Sequence, residues 1–517
     1  MQKIIPIFFL LLLANFVNGQ QLYWNYNSMG ALPLTAHLLT DTQRVHANVK
    51  PLATWNYAMD ADSLNRIWYG AKRPKSKWLN KISYDHLLNV SDDDFKMVAD
   101  PIFNFNYTQF EKNNYYLNTR GVQVQGSYKN KFYFYSGLLE NQARFLPYIQ
   151  QQVSQHQIAP GQGVVKYFDD FVDFNSSYGG IAYKLDKHFD FHLTYDKNFI
   201  GQGYRSLLLS DNSFNYPMLK LNMEFWKFKY TVIYTLMQDL KSAAVDNVGF
   251  RRKYGTFHYL DLILGKNNNF SIGLFDAVIW KHNASRGFDP TYLNPVVLLR
   301  PLENSLDSPD NTLLGLNLTY KPFKGLMAYG QIMFDELIVK EVRAGNGWWG
   351  NKQAYQLGLQ AFKNIQGLNL NFRTEFNLVR PFTYGHRSTL QNYAHYNQAL
   401  AHPLGSNFME LINHLNVSYK RFTFAASFQS ITNASDEAGK VQGNDIFDNY
   451  ELRESEYGVF MYNGIKNRFK SSEVRIGYMI NPATNFKIDL SIRKRGNDNL
   501  IIGCSLLHAL YNHYYDF

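Results

Sequence analysis

From about residue 101 onward, apolar and polar residues alternate with a period of two, in segments of roughly 8 to 12 residues, about the length of a tilted membrane strand. The clearest is LNLNFRTEFNL, residues 368–378. It sets Leu368, Leu370, Phe372, Phe376 and Leu378 on one face against Asn369, Asn371, Arg373, Glu375 and Asn377 on the other. A strand with a charged pair at its centre and an apolar opposite face suits a wall between lipid and a wet interior. MLKLNMEF (218–225) and NFKIDLSIRKR (485–495) repeat the pattern. Weaker examples between Pro101 and Leu500 bring the count to about eighteen strands, an even number as bacterial outer-membrane barrels require.

The links between these segments alternate in length. Short ones fall at Asn130, Asp186–Lys187, KNNN (266–269), KPFK (321–324), KNIQ (363–366) and NPAT (481–484). Long ones span about 141–177, 279–310, 335–354, 379–407 and 431–472. Short turns on one rim and long loops on the other are the two ends of a membrane barrel, whereas a soluble sandwich gives no reason for such alternation. The pattern predicts an all-β, transmembrane antiparallel barrel over residues 99–517, with extracellular loops and both termini periplasmic. The stretch LIIGCSLLHALYNHYYDF (500–517) is then the closing strand, its aromatic end at the inner rim and of the kind that barrel-insertion machinery reads.

Residues 20–98 lack the alternation. SKWLNKISYDHLLNV (76–90) puts Trp78, Leu79, Ile82, His86 and Leu87 near one helical face, while Pro33, Pro51 and Pro74 interrupt the rest. This predicts a small, partly helical plug or periplasmic segment under a barrel wide enough to leave an aqueous channel. The first 19 residues, MQKIIPIFFLLLLANFVNG, read as a secretory signal peptide.

Composition narrows the picture. Tyr, Phe and Trp number 37, 39 and 8, giving 16% aromatic, yet the mean hydropathy stays at −0.34. Lipid-facing bands and aromatic girdles balanced by a polar lumen give that combination. A single cysteine, Cys504, excludes an intramolecular disulfide. The net charge of +10 on an exported chain points to anionic glycan or lipopolysaccharide rather than nucleic acid.

Three long-link stretches, NFIGQGYRSLLLSDNSFNYPMLKL (198–221), YLNPVVLLRPLENSLDSPDNTLLGL (292–316) and LQNYAHYNQALAHPLGSNFMEL (390–411), together with the YYDF ending, resemble the capsule-assembly Wzi family. They are more similar still to its gliding-motility RemB-type relatives. The resemblance runs over the barrel region. It implies an outer-membrane barrel with helical elements, tied to surface polysaccharide or to gliding, and it transfers no site residue.

The three stretches lie in links of one parity and so converge on the mouth or fold into the lumen. A glycan site needs aromatic faces for sugar rings and oriented polar or cationic groups for hydroxyls and carboxylates. Tyr204, Arg205 and Asp211, then Arg300, Glu303, Asp307 and Asp310, then Tyr393, His395, Tyr396, Asn397 and His402 supply those types. The alternative is that they stitch the loops together over the pore. Gly201 and Gly203 lack the context of a phosphate loop, and His395 and His402 lack a zinc spacing. DSPDN (307–311) reads as a turn or cap before a calcium loop. With no GxSxG and no ordered triad, the chain reads as a non-enzyme without cofactor. The expected role is binding, anchoring or assembly of anionic capsular or exopolysaccharide, set beside a porin-like channel and a structural partner of a gliding or secretion apparatus.

Overall fold

The computed structural model describes residue 23 and residues 30–56, 61–241, 250–282, 287–295 and 310–516. The signal-peptide reading of residues 1–19 and the terminal Phe517 lie outside them.

Eighteen antiparallel strands close into one barrel. In chain order they are β1 (Phe95–Phe110), β2 (Asn113–Tyr128), β3 (Phe132–Arg144), β4 (Val172–Lys184), β5 (Phe189–Asp196) and β6 (Tyr216–Phe225). Next come β7 (Phe228–Asp239), β8 (Arg251–Leu264), β9 (Phe270–Lys281), β10 (Asn311–Phe323), β11 (Leu326–Glu336) and β12 (Lys352–Ile365). The last six are β13 (Leu368–Val379), β14 (Phe408–Tyr419), β15 (Phe422–Ser435), β16 (Ile465–Asn481), β17 (Phe486–Arg495) and β18 (Ile501–His508). Each pairs with its neighbours in sequence, and β18 returns to β1, with Ile501 opposite Phe110 and Leu507 opposite Asn104.

The alternation predicted for 368–378 is realised, with its polar face toward the lumen and its apolar face outward. Asn369, Asn371, Glu375 and Asn377 of β13 are buried in the lumen, while Phe372 is exposed. The same holds on β16 and β17: Ile476 is 59% and Leu490 61% exposed, whereas Lys487 and Asp489 form a buried pair at 2.7 Å. Such a surface is stable only with hydrocarbon outside. Tyr128, Phe225, Trp226, Phe323, Tyr419 and Phe422 stand exposed beside the short turns and form an aromatic girdle at that rim.

Before β1 lie helices α1 (Leu32–Thr40), α2 (Ala61–Trp68) and α3 (Lys77–Ser83), of which α1 and α2 share a small core of Leu34, Ala47, Leu52, Ala61 and Leu64. This segment is tied to the short-turn rim. The Gly325 N–H donates to the Leu39 carbonyl at 2.9 Å, Arg421 Nη2 to the Ser83 carbonyl at 2.9 Å, and Asn481 Nδ2 to the Asp85 carbonyl at 2.9 Å. It also enters the lumen, where His46 Nδ1 lies 2.8 Å from Asp261 of β8 and Val49–Lys50 pairs with Phe199–Ile200. The helical face predicted at 76–90 is used differently from a core stripe. Trp78, Leu79, Ile82 and Leu87 are exposed, and His86 alone of the set is buried, between Asp62 at 2.8 Å and Asp100 at 2.5 Å. Burial opposes charge on His86, but the two carboxylates overcome it and hold the imidazolium well above the ordinary histidine range.

One expectation is corrected. The closing strand ends at His508, and Ala509–Asp516 turn into the lumen instead of continuing the wall to an aromatic end at the rim. Alternating aromatics suggested a strand, but their partners are luminal. The Tyr514 hydroxyl donates to Asp211 at 2.6 Å, and the Tyr148 hydroxyl donates to the Tyr515 carbonyl at 2.6 Å.

Candidate functional site

The long links fold inward and fill much of the mouth. The β5–β6 link reaches the wall of β13, where Glu375 offers a carboxylate to two of its backbone amides: Tyr204 N–H at 2.7 Å and Arg205 N–H at 3.0 Å. Gly201 makes the descent possible. Its φ of +122° is open to glycine, and a methyl group there would overlap the Gln331 side-chain amide. Gln331 accepts from the Leu207 N–H at 2.8 Å and donates to the Ile200 carbonyl at 2.9 Å. The β13–β14 link covers this loop, with the Tyr384 hydroxyl donating to the Leu207 carbonyl and the Tyr393 hydroxyl to the Leu208 carbonyl.

Most candidate residues read from the sequence stand in this packing. Arg205 is 1% exposed, its Nη2 3.2 Å from Glu410 and 3.0 Å from Asp516, and its guanidinium lies 4.8 Å from the ring centres of both Tyr204 and Tyr514. The half-buried Tyr204 donates its hydroxyl to Asp516, and Asp211 accepts from Asn512 and Tyr514. Asp310 accepts from the Tyr292 hydroxyl at 2.8 Å. His395 is fixed as a neutral ring: Nδ1 accepts from the Gln238 N–H at 3.0 Å, so Nε2 carries the proton toward the Asn215 carbonyl, and burial pulls its pKa down to about 3. His402 likewise accepts the Leu404 N–H on Nδ1 and faces Glu410 from Nε2 at 2.7 Å, burial again lowering its pKa. Tyr396 packs edge-on against Phe250. Arg300, Glu303 and Asp307 lie outside the described residues.

Among the described residues, two of the spaces left open bear on function. The first runs through the lumen between α1, the inward tail and the walls of β1, β2 and β13–β18. Its lining reaches from Leu32 and Thr35 of α1 to Arg144 and Ile149 at the opposite rim. Arg373, Arg475, Arg493 and Tyr204 face it. Glu473 sits between two of these cations, 2.9 Å from Arg475 and 3.1 Å from Arg493.

The second is a groove on the long-loop rim, walled by helix α4 (Pro147–His156), the 397–405 stretch, the end of β15 and the 436–448 stretch. Asn397, predicted from the sequence, lies on its wall with its Nδ2 donating to the His156 carbonyl at 3.2 Å. Gln398 bridges Gly161 and Gln162. The Phe447 ring stands 5.9 Å from that of His156, with Lys241 Nζ 5.4 Å over its face. Asp436 orients Asn444 at 2.7 Å. Burial, reinforced by Asp445, raises Asp448 to about 6. The groove thus offers an aromatic face, amides and carboxylates from separate loops, the equipment for sugar rings and hydroxyls. The sequence reading passed over Phe447 and its neighbours. The signal was there in QGNDIFDNY (442–450), where acids and amides interleave with aromatics inside a long link.

No family model matches the chain, and no curated protein matches it. Among solved structures it is similar to Wzi of Escherichia coli, an outer-membrane carbohydrate-binding β-barrel involved in group 1 capsule assembly. That likeness has a TM-score of 0.53 at 11% identity, covering 96% of this chain and 100% of that one. It is also similar to OprD of Pseudomonas aeruginosa, with TM-score 0.41, 10% identity, and coverage of 79% and 93%. OpdK of Pseudomonas aeruginosa with vanillate gives 0.42, 9%, and coverage of 80% and 97%. The chain has the outer-membrane β-barrel fold that Wzi has.

Proposed function

We propose that this outer-membrane barrel binds surface polysaccharide, with the long-loop rim facing the polymer and the short-turn rim facing the periplasm. The observation that carries the reading is the rim groove, where Phe447 and His156 stand among amides and carboxylates of four chain segments. The fold shared with a carbohydrate-binding barrel of capsule assembly supports it. Anchoring or assembling a capsular or exopolysaccharide is the corresponding role, and surface spreading by gliding is a trait such anchoring would serve. The net charge of +10 favours a polymer carrying acid groups. Weak contacts repeated along a polymer add up by avidity.

The test pairs purified protein with surface polysaccharide from the same cells. Phe447→Ala and Asn397→Ala should each weaken binding about tenfold, the loss of one stacking or hydrogen-bonding contact, while Phe447→Tyr, which keeps the packing on the core and the ring face, should bind as the parent does. Equal binding by both alanine variants and the parent would remove the groove from consideration. In cells, deleting the gene should shift polysaccharide from the attached to the released fraction. Lost spreading with an unchanged ratio would point instead to a structural part in a gliding or secretion apparatus.

The second reading is a channel, and the luminal cavity reaching from α1 to Arg144 favours it. It requires ion conductance in planar bilayers by the unaltered protein.

A further inference from the structure

On β16 and β17 the side chains that point away from the lumen change character along the strand. The outward face of β16 runs Tyr478, Ile476, Val474, Ser472, all exposed, and then Lys470, Arg468 and Lys466 as the strand approaches the long-loop rim. On β17 the outward series Ile488, Leu490, Ile492 ends in Lys494, with Ile492 opposite Val474 and Lys494 opposite Ser472. Four exposed cations therefore stand directly above one apolar wall. Successive ones on β16 are about 7 Å apart along the strand, and Lys494 lies about 5 Å to the side. On the other flank, β15 presents Ser430 opposite Lys470, Thr432 opposite Arg468 and Ala434 opposite Lys466, so no acid faces them there. Among the described residues no ion pair involves any of the four, and Lys466 rests over the Tyr462 ring at 4.3 Å. The lumen-facing side of the same strands is organised differently, with Arg475 and Arg493 both paired to Glu473.

Four uncompensated charges at the upper edge of a hydrocarbon-facing wall repel one another unless an anion joins them. A soluble anion would meet the cations but leave the wall beneath to other lipid. An amphiphile with phosphates on a saccharide headgroup satisfies both parts at once, its acyl chains along Val474, Ile476, Leu490 and Ile492. We propose that the outward face of β16 and β17 at the long-loop rim holds the headgroup phosphates of a phosphorylated glycolipid of the surrounding leaflet. Ser430 and Thr432 add hydroxyls beside the cations. The site lies outside the barrel and does not depend on the saccharide groove.

The test uses the full chain in detergent, with a diphosphorylated, acylated glucosamine disaccharide as probe and bound lipid counted by native mass spectrometry. The K466Q/R468Q/K470Q variant should retain about a hundredfold less probe, the combined loss of three basic residues near an anionic lipid surface. The charge-preserving K466R/R468K/K470R variant should bind as the parent does. A K72Q/R73Q/K75Q variant, which removes the same charge from the segment before α3, should also bind as the parent does. The dephosphorylated probe should bind the parent no better than the intact probe binds the triple glutamine variant. Equal retention by parent and triple glutamine variant, or an equal loss in the variant before α3, would overturn the proposal.

Discussion

Asp516 and Arg205, 311 positions apart in sequence, meet inside the lumen at 3.0 Å. The Arg205 guanidinium sits between the rings of Tyr204 and Tyr514 and also meets Glu410 of β14. One cation thereby joins the inward β5–β6 link, the barrel wall and the segment that follows β18.

Arg205→Ala leaves Glu410 buried without its cation, an arrangement that costs about 3–5 kcal/mol when one partner of a buried pair is removed. The expected result is a lower temperature for the loss of the compact electrophoretic form in mild detergent, with the barrel still assembled at room temperature. Reduced glycan binding by this variant would then report on loop collapse, since Arg205 is 1% exposed.

Gly201→Ala should destabilise by about 1–3 kcal/mol, because it combines a strained backbone with overlap on Gln331. Gly287→Ala serves as the control: a methyl group there meets nothing within 4 Å, and the melting temperature should not move. The two are compared by thermal unfolding in one detergent.

His395 gives the packing of the mouth a dependence on acid. Its folded pKa, near 3, lies below the ordinary 6.5, so the folded state binds fewer protons than the unfolded one between these values. Its contribution is complete above about pH 6.5 and is lost as pH falls toward 3, a change of a few kcal/mol. Limited proteolysis of the long-loop rim should accelerate across that window, and His395→Gln should flatten the pH profile.

Tyr514→Ala combined with Asp516→Ala removes the anchors of the inward tail to Arg205, Tyr204 and Gln429 and one of its two to Asp211, the other being Asn512. Conductance in planar bilayers should rise above that of the parent, because the tail forms one wall of the luminal cavity. Identical traces would mean that the loops alone close the bore.

The barrel wall was legible because lipid and lumen impose opposite demands on alternate residues, and each of the eighteen predicted segments falls within one observed strand or overlaps it. The edges were less so. β1 begins at Phe95, ahead of Pro101, since Lys96, Asp100 and Pro101 blur the alternation where the strand pairs with Leu88–Ser91 below the apolar band. The tail was misread because period two describes any extended segment, and nothing local in YNHYYDF distinguishes a wall from a luminal strap. The candidate residues were of the right chemical types, but type does not reveal partners. Arg205 and His402 look alike as ligands or as stitches until Glu410, which meets both, is seen between them.

The seam between β1 and β18 also sets an order of assembly. Every other wall pairing joins neighbours in sequence, so hairpins can form as the chain is delivered. Phe103 and His508, by contrast, are 405 positions apart. Until β18 arrives the wall is an open ribbon with two raw edges, each able to pair with a foreign strand. The inward strap meets partners, Arg205 and Asp211, that belong to the β5–β6 link inside the ring. The seam therefore carries the largest loop-closure cost of any wall pairing, and the bond between Asp516 and Arg205 ties the segment after β18 back to the β5–β6 link inside the ring.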